Sequence, residues 1–251
     1  MTPTELYAAI GFPEPCTLNK RVFKKLFLEN GDLKAADKRA LSDSVDAITW
    51  QFTLKPTTIP VQPFHDAERE YGEVAVLDAG LTDRRAAARI AELVHRAIPY
   101  PVLLVLFDSD GLTVSAAPKR LSRAERDRVV VEAIASTPWL DGAARSAEEA
   151  AFVASLALQG LPHTNFHALY EAWMQRLVAL DCASLSRRFD ITTTLPYADR
   201  RAALDACRAL DREIRALRAT LRAESSFAHQ VELNARIKKL EADLRRAADA
   251  L

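Results

Sequence analysis

Pro99 to Arg120 reads PYPVLLVLFDSDGLTVSAAPKR. Val102 to Phe107 within it is a continuous apolar run with β-branched members, the pattern of a buried strand. Asp108-Ser109-Asp110-Gly111 is a turn cluster, and Leu112-Thr113-Val114-Ser115 then alternates as a half-buried strand does. The stretch is therefore a hairpin. Two strands alone are marginal in water, so further strands and helices must cover them.

The flanking sequence supplies both. Ala47 to Leu54 alternates with period two, and Ile48, Trp50, Phe52 and Leu54 share one parity, which puts the large residues on one sheet face and leaves the other solvated. Pro56, Pro60 and Pro63 make an extended connector. Tyr71 to Leu81 reads as a strand, Thr82 as an N-cap, and Arg84 to Ala97 as a helix with Ala88, Ala91, Leu93, Val94 and Ile98 turned inward. A strand, a helix and a strand in succession permit a parallel crossover, and the antiparallel hairpin that follows makes the sheet mixed. Further helices are expected over Thr4 to Ile10, Lys20 to Leu28, Leu33 to Asp43 and Arg123 to Ala135. In the second of these Val22, Phe23, Leu26 and Phe27 form one face and Lys20, Arg21, Lys24 and Lys25 the other.

From Ser146 onward the pattern is helical, with Phe166, Leu169, Trp173, Leu177 and Leu180 at helical spacing and a loop over Ser186 to Pro196. In the tail Leu210, Ile214, Leu217 and Leu221 form one heptad seam, and Leu233, Ile237, Leu240 and Leu244 form a second, out of phase with the first. The mismatch falls at Glu224-Ser225-Ser226-Phe227, where serines cap a new helix. An antiparallel helical hairpin with its corner there is expected; a homodimeric coiled coil with a stutter is the alternative. The fold class is thus α+β: a mixed sheet with flanking helices over 1–145, a helical segment over 146–196, and a helical hairpin over 197–251.

Composition narrows function without naming it. The chain of 251 residues has 34 basic and 34 acidic side chains, so no whole-molecule field draws it to nucleic acid or an anionic membrane. Three scattered cysteines, Cys16, Cys182 and Cys207, fit neither a disulfide framework nor a zinc site and point to a reducing cytoplasm. There is no signal-like N-terminus, no apolar run near the roughly 20 residues that span a bilayer, and no glycine-rich phosphate loop. A soluble cytoplasmic protein without cofactor or metal is expected.

Two basic clusters are candidates for phosphate contact: Lys20, Arg21, Lys24 and Lys25, and Lys119, Arg120, Arg123, Arg126 and Arg128. In the tail, Arg215, Arg218, Arg222, Lys238 and Lys239 on the outer faces of the helices are candidates for protein contact. Glu73, Asp78 and Asp108 lie at or near strand ends and would serve a metal-dependent nuclease, although no Glu-x-Lys accompanies them. His163, His167 and Glu171 have helical spacing that metal sites use, but Pro162 sets His163 at or before the helix start.

Ala47-Ile48-Thr49-Trp50, Ile98-Pro99-Tyr100-Pro101, Asn165-Phe166 with Leu169-Tyr170-Glu171, and Phe227 with Val231-Glu232-Leu233-Asn234 occur in this order along nearly the whole chain. In these the chain resembles an uncharacterised bacterial family, domain of unknown function number 4391. The resemblance implies genes beside superfamily-two helicases and DNA methyltransferases of restriction and phage-defence type. It implies a non-catalytic accessory subunit that binds such a partner, with DNA as a further ligand, and it carries no catalytic residue. The nuclease is the alternative.

Overall fold

The computed structural model describes residues 1–30, 33–122, 129–142, 145–192, 195–249 and 251. It divides into two units, Met1–Leu180 and Asp181–Leu251.

The first unit is built on one mixed sheet. Helix α1 (Pro3–Ile10) opens with a capping box between Thr2 and Glu5 and stops at Gly11, whose φ of 72° is one that glycine adopts freely. Strand β1 (Thr17–Val22), helix α2 (Lys24–Asn30), helix α3 (Ala35–Ser44) and strand β2 (Val45–Leu54) follow. Lys20 to Leu28 is thus not one helix, because Lys20, Arg21 and Val22 pair with Trp50, Thr49 and Ile48 of β2. A small hairpin, β3 (Phe64–His65) and β4 (Glu70–Tyr71), leads to strand β5 (Val74–Leu81). Asp83, rather than Thr82, caps a 3-10 turn (Arg84–Ala86) that leads into helix α4 (Ala87–Ala97); the Thr82 hydroxyl instead donates to the Asp43 carbonyl.

Strand β6 (Val102–Phe107) lies parallel to β5, and β7 (Gly111–Ala116) returns antiparallel to β6. The hairpin and the crossover therefore coexist in one sheet, as the sequence leads one to expect. Beyond it come β8 (Lys119–Leu121), β9 (Val129–Val131), β10 (Ala135–Ser136) and β11 (Leu140–Asp141). The helix expected over Arg123 to Ala135 is absent from its described part: Val129, Val130 and Val131 are β-branched and pair with β8. The sheet order is β1-β2-β5-β6-β7-β10, with β11 also on β7.

Both sheet faces are covered. Ile48, Leu77, Ala79, Leu104 and Leu106 pack with Leu41 of α3 and Ile90 and Val94 of α4. A register shift between Trp50 and Phe52 breaks the parity of β2. Ile48 and Trp50 consequently belong to the α3–α4 side, while Phe52 stacks on Phe12 at 4.2 Å and meets the Tyr7 ring at 5.1 Å. The bulge distributes the large residues over two faces, so β2 has no solvated side of the kind that alternation suggests.

Helix α5 (Ala147–Ser155), with Ser146 and Glu149 as its capping box, and helix α6 (Phe166–Ser186) continue the chain. The Tyr170 hydroxyl donates to the Val102 carbonyl at 2.8 Å and accepts from the Ala117 amide at 2.9 Å. Trp173 Nε1 donates to the Leu156 carbonyl. Helix α5 and α6 as far as Leu180 thus belong to the same unit as the sheet.

In the second unit α7 (Tyr197–Ala223) and α8 (Phe227–Asp249) turn at Glu224 to Ser226, where the two heptad seams lose phase. They are antiparallel: Arg218 pairs with Glu241 at 2.6 Å and Arg236 with Glu213 at 2.5 Å. At about 1.5 Å per residue the helices are about 40 and 35 Å long. The hairpin forms within one chain. Among the described residues no helix is long and apolar enough to cross a membrane.

Candidate functional site

Asp78 is the most enclosed carboxylate that the sequence singles out. It faces α1 from the middle of β5, and its Oδ2 accepts from the Tyr7 hydroxyl at 2.9 Å and Gln51 Nε2 at 2.8 Å. The Thr49 hydroxyl, opposite it in the sheet, donates as well. Burial pushes the Asp78 carboxyl up and, with the Asp78 charge beside it, pushes the Tyr7 phenol far above its ordinary value. Nothing in the sequence marks Tyr7 or Gln51 as partners; Gln51 sits at the register shift of β2. The arrangement ties α1 to the sheet, with two donors on Oδ2.

Asp108 and Glu73 are elsewhere. Ala75 lies beside Val102 and Gly80 beside Phe107, so Glu73 precedes one end of the parallel pair and Asp108 follows the other. At about 3.3 Å per residue they are roughly 25 Å apart. Asp108 Oδ1 accepts from the Asp110 and Gly111 amides, which makes it a turn former, and Arg84 reaches both Asp108 and Asp110 while lying 4.8 Å from the Trp139 ring. Glu73 instead lines a cavity of about 680 Å³ with His65, Glu70, Tyr100 and Ser122. The three carboxylates do not converge. His163 bonds the Leu158 carbonyl, and His167 stacks on Phe64, so these two rings are used in packing. Among the described residues no group of three or more histidine, cysteine, aspartate or glutamate side chains could hold a metal ion.

The second basic cluster changes most. Lys119 is only 2 % exposed, and its ammonium donates to the His95 carbonyl at 2.7 Å and to the Ile98 carbonyl, closing the C-terminus of α4. Burial lowers it to about 7. His95, also buried, shares a hydrogen bond with Ser115 at 2.8 Å, and burial together with the Lys119 charge lowers its imidazole to about 3. A lysine that fills a helix end inside the protein is withdrawn from phosphate contact. Arg120 lies 3.6 Å from Glu132, which also holds Arg69. Arg123, Arg126 and Arg128 lie outside the described residues.

The first cluster is not a helix face. Lys20 and Arg21 belong to the edge strand β1, whereas Lys24 and Lys25 open α2; Lys24 donates to the Ser42 and Val45 carbonyls. The tail cations stand on the hairpin surface. Arg215 pairs with Asp211 and Arg218 with Glu241, and Arg222, Lys238 and Lys239 are exposed. The hairpin tip also carries Phe227, 79 % exposed, and Val231, 52 % exposed, one helical turn apart. Counting back from Leu233 puts both off the seam, which is the signal by which their exposure is legible.

Searches of curated proteins and of solved structures find no match to this chain. Residues 10–244 match the family described as Domain of unknown function (DUF4391). With nearly its whole length matched, from the end of α1 to the last turns of α8, the chain belongs to the DUF4391 family.

Proposed function

We propose that this protein is a non-catalytic accessory subunit of a bacterial restriction or phage-defence complex, binding a helicase or DNA methyltransferase through protein contacts and DNA through a local basic patch. The tip of the helical hairpin supports this reading most directly. Phe227 and Val231 leave large apolar surface in water where α8 begins, although Leu221, Leu233, Ile237 and Leu240 already supply the seam that holds the helices together. Exposed aromatic residues amid charged ones are the usual anchors of protein interfaces. The cations expected at the interface, Arg215, Arg218, Arg222, Lys238 and Lys239, lie on the same hairpin.

For DNA, the proposal rests on Arg120, Arg123, Arg126 and Arg128, since Lys20 and Arg21 stand on opposite faces of β1. Neutralising several phosphates gives binding that weakens steeply with salt.

Affinity purification of the tagged chain from its native host, with the helicase and methyltransferase detected by mass spectrometry, tests the reading. Stoichiometric recovery of either enzyme, lost on combining Phe227→Ser with Val231→Ser, is expected. A chain that elutes alone at micromolar concentration contradicts it. In a low-salt gel shift with duplex DNA, Arg123→Glu with Arg126→Glu should weaken binding; unchanged binding removes the patch.

A further inference from the structure

The sheet ends on β1, and among the described residues no strand pairs with its outer edge. Natural edges are blunted by charge, by proline or by bulges, because a row of unpaired amides and carbonyls recruits other strands. β1 has a register irregularity between Thr17 and Lys20, with Asn19 at φ 46°, and two cations. Yet it also leaves apolar side chains in water at both ends: Leu18 at 45 %, and just past the strand Phe23 at 67 % and Leu26 at 53 % exposure. From Cys16 to Leu28 the chain has four basic side chains and no acidic one. An edge that is only being protected has no use for that exposed apolar surface.

The placement of the charges says what fits. Lys20 lies opposite Trp50, on the α3–α4 side of the sheet, and Arg21 lies opposite Thr49, on the Asp78 side. Two cations on opposite faces flank the edge rather than converge on one phosphate, and Lys24 is already held by backbone carbonyls. A strand laid along the edge presents successive side chains to alternate faces, so two consecutive acids would meet Lys20 and Arg21 together. A second copy of this chain would bring like charges to the same place.

We propose that β1 accepts an extended acidic segment of a protein partner, which adds a strand to the sheet through main-chain hydrogen bonds. Apolar residues flanking its acids pack on Leu18 and Phe23. This rests on the partner-binding reading above and gives the chemistry of one contact.

The test uses the full chain and a fluorescent, acetylated octapeptide of threonine and valine with a central Glu-Asp pair, alongside the same peptide with Lys-Lys and a short DNA duplex. Saturable polarisation with the acidic peptide and not with the Lys-Lys peptide, undisplaced by the duplex, at least tenfold weaker for Lys20→Glu with Arg21→Glu and weakened by Phe23→Ser, is expected, with slowed amide exchange over 17–22. These side chains are exposed, and far-UV circular dichroism verifies that the variants fold. Equal binding of the two peptides, binding unaffected by the charge reversal, or displacement of the acidic peptide by the duplex would each overturn the proposal. If co-purification of the partner survives Lys20→Glu with Arg21→Glu, the edge contact fails while the partner reading stands; if no partner is recovered with the wild-type chain, it is that reading which fails.

Discussion

Replacing Lys119 by methionine keeps an extended side chain and removes its ammonium. In the folded protein burial holds that ammonium at about 7, against an ordinary 10.5 in the unfolded chain. Between these values the unfolded state binds a proton that the folded state does not, so the group makes stability rise with pH across the interval and adds no slope below it. Each pKa unit corresponds to about 1.4 kcal/mol, and the two titration curves together give about 2 kcal/mol gained between pH 7 and pH 9. His95 faces the same site but stays neutral throughout, since its imidazole is lowered to about 3. The buried thiols of Cys16, Cys182 and Cys207 are raised and give an opposite slope near pH 9. Because Lys119→Met leaves the thiols in place, the difference between the two proteins isolates Lys119. Urea unfolding at pH 7, 8 and 9 measures it: the wild type should gain about 2 kcal/mol relative to Lys119→Met over that range. Parallel pH dependences would refute a buried ammonium at the end of α4.

Asp78→Ala strands the Tyr7, Gln51 and Thr49 donors and should cost about 2–4 kcal/mol, whereas Asp78→Asn at pH 7 should cost under about 1, because burial already disfavours the charged form; equal urea midpoints for alanine and wild type would contradict this. A Cβ at Gly111 would lie 2.2 Å from the Leu140 carbonyl oxygen, so Gly111→Ala should destabilise by about 1–3 kcal/mol, read as a lowered thermal midpoint. Ile237 is buried in the hairpin seam, and Ile237→Ala should lose about 2–4 kcal/mol, measured as an earlier loss of helical circular dichroism on heating. Neutralising the exposed Arg218–Glu241 pair should change the same melt by less than about 1 kcal/mol.

The elements that repeat a period over many residues are legible in the sequence. Val102 to Ala116 shows as a hairpin because an apolar run and an alternating one flank an Asp-rich turn, and the hairpin corner shows because two heptad seams cannot be joined in phase. What escapes is set by tertiary pairing. Lys20 to Leu28 has helical spacing of its apolar residues, yet its first three residues, Lys20 to Val22, pair with Trp50 to Ile48 and become an edge strand. One bulge in β2 reverses the face of Phe52 and brings Gln51 beside Asp78, and a single extra residue leaves no trace in an alternating pattern. Lys119 follows a hairpin and precedes arginines, which reads as surface; only the nearness of the α4 C-terminus, 21 residues upstream, explains why it turns inward. Carboxylates can be identified in a sequence, but whether Glu73, Asp78 and Asp108 meet depends on which strands are parallel.

Hydrogen exchange on the chain assembled with the helicase or methyltransferase proposed as its partner bears on the central claim, that this protein acts by docking through exposed surfaces. Slowed exchange over 224–234 at the hairpin tip and over 17–22 at the sheet edge, relative to the free chain, is the result expected. Identical exchange in the bound and free chain at both stretches would contradict it.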